Sequence, residues 1–528
     1  MSYRMTPMIV LPLLVLLACP VAGSCQTSKP GKPLITVSKE TTWITGPLNA
    51  DGTVNYIAAA DAWLSKGVTR ENNAAILILQ AFGRDAIGEK VRDAIIKRLG
   101  LTDFLDANTA LIGVSNYASE VFGEDNSYDA GSKIYAAMSK LGMDPFSADV
   151  DLTALAGYVK RNDRALDLLV EATKKPRYYM PYVSPSKPPR MVDGICRVSL
   201  RGCVHAPGAL GARAFLRVRE GKIDADLGDI IAIRKLGRLV GQETTLLEGL
   251  ISLGLEQKAL GTMIGLATSG RLDQPQAKAL LANLCETPAF PMPSDLGNPI
   301  ERFLVLDQIT RWARDGMEMG TRQDSNNADP EPDVTVPDVK IDYDLLCRLI
   351  NVGFAKAQAV DAMPTFSARN KAREALSTPT SPAVKEALDV YRNPFKMQTG
   401  LVKLFQRAGT ADPQRLAQLI SECESSASGI SPVGKFVETT RAWAILARLS
   451  AALAVYRAQN GRYPDKLDAL APGIIPAVPN DPFNDKPLTY RLTEKGYILY
   501  SVGKDMKDDG GKTRGFFRDE PDMVVEAK

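Results

Sequence analysis

The chain has 528 residues, of which 45% are hydrophobic and 24% are charged, and its formal net charge at pH 7 is +3. This length exceeds one ordinary hydrophobic core and predicts several domains, while the composition is that of a soluble globular protein. The near-neutral charge, without a basic tail or an acidic block, argues against nucleic acid as a partner.

Residues 1–24 have the pattern of a secretory signal peptide. Arg4 supplies a positive charge, an apolar run extends from Pro7 to Cys19, and small residues then precede a polar stretch. The apolar run is too short to span a bilayer comfortably, so the pattern predicts export. Two interpretations of the cleavage remain open. A signal peptidase could cut after Ser24, giving a periplasmic or secreted protein, or "AGSC" could be a bacterial lipobox whose Cys25 carries a lipid membrane anchor.

Residues 25–52 are predicted to be a linker and residues 53–319 an α-helical array. Segments of helical periodicity in the array, such as "NNAAILILQAFG", "AIGEKVRDAIIKRLG" and "SKIYAAMSKLG", end at glycine, which is favoured just after a helix. The most regular part, residues 209–284, predicts αα-hairpins joined by short glycine turns. A solenoid-like stack is one arrangement that this pattern allows, although no consensus of a known repeat is present.

The remaining chain divides at a stretch rich in Asp, Asn and Pro. Residues 320–342 are predicted to form an exposed linker, residues 343–425 a second helical region, and residues 433–528 a small α+β domain. In that domain a long amphipathic helix runs from Lys435 and stops at Asn460–Gly461. The alternating segments "LTYRL" and "YILYSV" flank "TEKG" and predict an antiparallel hairpin.

The tail also carries several motifs in a fixed order, and together they resemble the globular part of the major pseudopilins of bacterial type II secretion systems. The resemblance covers roughly the last ninety residues, and several ordered motifs make it more specific than any one of them. Nothing before Lys435 matches the leader, cleavage glycine and membrane-spanning helix of a working pilin. We therefore interpret the tail as the soluble half of that fold. The matching residues are Tyr456, Asn460, Gly461, Tyr463, Pro464, Asp481, Pro482, Phe483, Pro487, Ser501, Gly503 and Asp505.

The resemblance implies a calcium ion in the loop that follows the hairpin. Asp505 and Asp522 match acidic positions of the family, and Asp508 or Asp509 would complete the ligand shell. A hard cation held by oxygen ligands would fix this loop, which no helix follows. The sequence departs from the family at Met506, where the family has glycine.

An EF-hand and a solvated acidic turn are the alternatives to this calcium site. An EF-hand is excluded, because the third and twelfth positions counted from Asp505 are Lys507 and Phe516 instead of ligands. A solvated acidic turn remains open, since acidic and glycine-rich loops are common on surfaces. Its carboxylates would pair with Lys512, Arg514 and Arg518.

Cysteine and histidine usage limits the possible chemistry. The five cysteines after Cys25 are odd in number and scattered, which argues against a disulfide framework. A local Cys196–Cys203 bridge is one interpretation, and the other three cysteines are predicted to be buried. The only histidine, His205, lies near this pair, but zinc would need a fourth ligand. A single histidine also argues against histidine-dependent triads.

These observations lead to one function hypothesis and two alternatives. The hypothesis is an exported, non-enzymatic binding or scaffold protein of the cell envelope, with protein partners and a calcium-stabilised pseudopilin-like tail. The first alternative is an accessory component of a type II secretion-like system, which rests on the family resemblance. The second is an exported enzyme with its site among the helices of residues 209–284.

Overall fold

The structure is a computed structural model that describes most of the chain. Within the described residues it is mainly helical, with a small three-stranded antiparallel sheet near the C-terminus, which confirms the predicted class at this level. The predicted leader, Cys25, Cys196 and nearly all of the linker at 320–342 lie outside the described residues. Those residues are 34–143, 145–147, 150–194, 200–221, 223–243, 245–291, 299–315, 341–378, 385, 413–415, 417, 418, 420, 421, 430–512 and 522–527.

The first helices begin and end largely where the sequence signals place them. Asn73 caps α2 by accepting a hydrogen bond from the backbone N–H of Ala75, and Gly100 ends α3 in the left-handed conformation. The glycine of "SKIYAAMSKLG" does not end its helix, because α5 continues through Gly142 to Met143. The helices are α1 Tyr56–Leu64, α2 Ala74–Phe82, α3 Glu89–Leu99, α4 Val114–Phe122, α5 Glu124–Met143 and α6 Thr153–Ala172.

The next four helices form the regular part of the array. α7 packs on the preceding helix α6, α8 packs on α7, and α9 packs on α8, whereas α10 has few contacts with α9. Asp273 and Gln276 form a capping box at the start of α10, with each side chain accepting from the other residue's backbone N–H. The bounds are α7 Leu200–Arg219, α8 Ile223–Val240, α9 Leu246–Thr268 and α10 Gln274–Glu286.

The last α-helix of the described chain returns to this array. The 31-residue helix α14 packs along both α9 and α10, so a segment distant in sequence covers the apolar faces that these two helices leave. It begins before the predicted start at Lys435, and its end at Asn460 agrees with the predicted stop. The bounds are α11 Ile300–Asp315, α12 Tyr343–Asp361, α13 Phe366–Ser377 and α14 Ile430–Asn460.

The sheet contains the predicted hairpin and a third strand. The strands are β1 Thr489–Leu492, β2 Tyr497–Ser501 and β3 Met523–Ala527, with β2 in the centre and antiparallel to both neighbours. The ring of Tyr497 is buried, and its centroid lies 4.9 Å from that of Tyr463 in an edge-to-face contact. The sheet therefore packs on the region that follows α14.

One continuous hydrophobic core joins the array and the sheet, and it includes Leu260 of α9 and Leu453 of α14. Cys347 is buried as predicted, and burial raises the pKa of its thiol to about 12. Cys285 is exposed, so its predicted burial was wrong. It follows Leu284 in the last turn of α10 and lies just beyond the buried face of that helix.

Candidate functional site

The acidic loop after β2 is anchored by the buried carboxylate of Asp481. This carboxylate accepts hydrogen bonds from Ser501 Oγ at 3.0 Å and from the backbone N–H groups of Val502 at 2.8 Å and Phe483 at 3.0 Å. The proline-rich loop before the sheet and the end of β2 are thereby tied together. Asp481 and Ser501 both belong to the motif matches, but no local pattern indicated that they contact each other.

Asp522, immediately before β3, is the most constrained of the predicted ligands. Its Oδ2 accepts from the backbone N–H groups of Asp509 at 3.1 Å and Gly511 at 2.8 Å. Its Oδ1 is buried and has no hydrogen-bond partner within the described residues. Burial raises the pKa of Asp522, and the charges of Asp508 and Asp509 raise it further. A buried acceptor without a donor is costly, so this oxygen marks a place where a cation would be stabilising.

The other three predicted ligands lie on the loop itself. Asp508 Oδ1 accepts from the Tyr500 hydroxyl and from the backbone N–H of Gly510, both at 2.9 Å. Asp505 is exposed, and its carboxylate accepts from the backbone N–H of Lys507 within its own turn. The described contacts therefore place Asp508 and Asp509 near Asp522, whereas none of them joins Asp505 to this group.

Gly511 is the glycine of this loop that has both a positive φ and a close neighbour in the described structure. Gly511 has a φ of +71°, and a Cβ atom there would lie 3.1 Å from two carbons of the Tyr500 ring. Because the N–H of Gly511 donates to Asp522 and Tyr500 donates to Asp508, this close approach brings two of the acidic residues against β2.

The calcium site stays a prediction. In the described part of the chain, no group of three or more His, Cys, Asp or Glu side chains is arranged to hold a metal ion. Arg514 and Arg518, which would pair with the aspartates in a solvated turn, lie outside the described residues. Asp522 with its unpartnered oxygen, and Asp508 and Asp509 beside it, are the residues that would hold a cation here.

The helices of residues 209–284, the location of the alternative enzyme site, contain buried ion pairs. Arg213 of α7 contacts Asp229 of α8 at 2.8 Å, and Arg234 of α8 contacts Glu256 of α9 at 2.9 Å. Arg217 also contacts Asp229, and Arg238 also contacts Glu256. These charges join neighbouring helices, and each of the two carboxylates is already bound by two guanidinium groups.

Exposed aromatic and apolar side chains lie on α4 and α5. Tyr128 and Tyr135 are seven residues apart, so both lie on one face of α5. Tyr128 is 88% exposed and Tyr135 is 49% exposed. Val121 and Phe122, at the end of α4, are also exposed. We call these four residues the aromatic surface. The helices α4 and α5 pack against each other, and large apolar side chains exposed on neighbouring helices are typical of interaction sites.

No family model, characterised protein or solved structure matches the chain. Of the helices in the described ranges, none is both long enough and apolar enough to cross a membrane.

Proposed function

We propose that the chain is an exported, non-enzymatic binding or scaffold protein of the cell envelope, and that a protein partner binds its aromatic surface. The exposure of Tyr128 and Tyr135 on one face of α5 is the observation that carries this proposal. Tyrosine is enriched among the residues that dominate protein–protein binding, because its ring buries a large area and its hydroxyl keeps a polar contact.

The charges around the aromatic surface indicate the kind of partner. Glu124 and Asp125 are exposed on the same helix as the two tyrosines, whereas the exposed Asp129 already pairs with Lys133 at 2.7 Å. A partner surface that combines apolar groups with Lys or Arg would complement both features. The ion pairs of Asp229 with Arg213 and of Glu256 with Arg234 support a structural role for these four charges, which favours binding over catalysis by them.

The tail is proposed to be a pseudopilin-like module, and the array of residues 53–319 a solenoid-like stack that is most regular over residues 209–284. A long helix, a proline-rich loop and an antiparallel sheet in this order support the first proposal, and the pairwise packing of consecutive helices supports the second. A calcium ion at Asp522, Asp508 and Asp509, with Asp505 as a further ligand, would neutralise the carboxylates and hold the loop before β3. Its role would be structural.

Affinity capture from the native envelope tests the function. The full-length protein should retain a specific partner, and the double variant Tyr128→Ser with Tyr135→Ser should lose it, with at least a tenfold drop in yield, because both rings would leave the interface. The matched control is Val352→Ser with Leu492→Ser, which removes two similarly exposed apolar side chains elsewhere.

Capture of the same partner by wild type, control and tyrosine variant alike would contradict the aromatic surface as the binding site. Recovery of secretion-system subunits as the partner would favour the accessory role in type II-like secretion.

A further inference from the structure

Arg302, in the first turn of α11, is a buried cation without a counter-charge. Arg302 is only 5% exposed, and within the described residues its side chain forms no hydrogen bond or ion pair. The described chain buries three other arginines this deeply, Arg213, Arg234 and Arg373, and each of them contacts at least one carboxylate at 2.9 Å or less. Arg302 differs from all three.

Two aromatic rings contact the guanidinium of Arg302, whereas the other three buried arginines contact a carboxylate. The central carbon of the guanidinium lies 4.4 Å from the ring centroid of Trp43 and 5.0 Å from that of Phe354. The segment carrying Trp43 is fixed from α12, because Asn351 Nδ2 donates to the backbone carbonyls of Glu40 and Thr41, both at 2.9 Å. The surroundings of Arg302 are therefore built by three separate parts of the chain.

The rings attract the cation but cannot accept its N–H hydrogen bonds in the plane of the guanidinium. Burial lowers the pKa of Arg302 to about 10, which still leaves the group charged at neutral pH. Its Nε is fully buried without a partner, whereas the two terminal nitrogens are not fully buried. The terminal nitrogens therefore keep a small contact with solvent, and an anion would approach the guanidinium from this side.

We propose that Arg302 binds an oxyanion group, a carboxylate or a phosphate, of a small ligand held beside Trp43 and Phe354. The guanidinium presents parallel N–H groups that match the oxygens of either anion, and a charge-assisted pair is strongest where water is largely excluded. The ligand would supply the hydrogen-bond acceptors that the described chain does not provide.

Thermal unfolding of the full chain tests the site with two probes, inorganic phosphate and acetate, each titrated against sodium chloride at constant ionic strength. At least one probe should raise Tm in a saturable manner, by about 2 °C or more, because a ligand that binds only the folded state stabilises it. Comparing the two probes identifies the oxyanion class.

The variants decide whether the response belongs to Arg302. Arg302→Met keeps an apolar stem and should abolish the response, whereas Arg491→Met, at an exposed arginine of β1, should preserve it. If Arg302→Met does not fold, Arg302→Lys serves instead, and its apparent Kd should rise at least tenfold because the planar fork is lost. No saturable response in the wild type, or an undiminished response in the Met or Lys variant, overturns the proposal.

Discussion

At the scale of single residues, the buried acids and bases of this protein differ in how their charge is compensated. Asp229 and Glu256 each contact two arginines, and Asp481 accepts three hydrogen bonds. Within the described residues Glu301 accepts one hydrogen bond, from the backbone N–H of Leu246 at 3.0 Å. Burial accordingly raises the pKa of Glu301 to about 7. The protonated form of Glu301 is therefore favoured in the folded state.

Glu301 should make stability depend on pH. Its ordinary pKa is 4.5, so between pH 4.5 and about 7 the folded state binds more protons there than the unfolded state does. The contribution of Glu301 to the free energy of unfolding thus falls as pH rises through this window, by about 3 kcal/mol in total. Glu301→Gln should remove this dependence. The free energy of unfolding of the variant minus that of the wild type should therefore be larger at pH 8 than at pH 5.

Urea unfolding at pH 5 and pH 8 measures this effect for the wild type and Glu301→Gln, with Glu494→Gln, at an exposed position, as the control. A difference between wild type and Glu301→Gln that is the same at both pH values would show that Glu301 does not titrate in the core.

Residue-level contacts were the least predictable part of the molecule from sequence. Asp481 and Ser501 are separated by two turns and a strand, and only the fold shows that they form a hydrogen bond. Likewise, the sequence around Arg302 did not indicate a buried cation, because α11 has the pattern of an ordinary amphipathic helix. Only the fold shows that Trp43 and Phe354 lie beside Arg302. Long-range pairing depends on tertiary packing, which local patterns do not encode.

At the scale of helices, strands and loops, local chemistry explains most element ends. Asp342 and Thr365 accept from backbone N–H groups in the first turns of α12 and α13, and Gly461, with a φ of +75°, follows the end of α14. These signals were predictable because each acts within a few residues. Gly142 was not, since the packing of α5 on its neighbours overrides the weak preference of a single glycine to end a helix.

The loop between β2 and β3 should respond to calcium. A chelator should lower Tm of the full chain by about 2 °C relative to millimolar calcium, because the ion would bind only the folded loop. Asp522→Asn and Asp505→Ala should each abolish the response, while Asp465→Asn, at an exposed position, should keep it. Melting is followed by circular dichroism.

In chelator, Asp522→Asn should be at least as stable as the wild type. Asparagine can still accept from Asp509 and Gly511 through its one oxygen, and it removes a charge that burial and the neighbouring carboxylates disfavour. Identical melting curves with calcium and with chelator would favour the solvated acidic turn instead.

At the scale of the whole molecule, α14 connects the tail to the array. Gln257 of α9 donates to Thr440 Oγ1 at 3.0 Å, Arg441 donates to the carbonyl of Phe290 at 2.7 Å, and Arg457 donates to the carbonyl of Gly270. The sequence predicted this helix and its amphipathic pattern, but not the surface that it covers. The predicted division at residue 433 remains a hypothesis about folding units, whereas the hydrophobic core is continuous across it.

Export is the premise of every function proposed for this chain, and the mature N-terminus of the native protein tests it most directly. Both interpretations of the leader cut between Ser24 and Cys25, so intact-mass measurement and N-terminal sequencing should show a chain that begins at Cys25. A lipid mass that disappears in Cys25→Ser, with release from membranes, would establish the anchor, and an unmodified Cys25 would establish a soluble exported form. A native protein that keeps residues 1–24 and fractionates with the cytoplasm would contradict export.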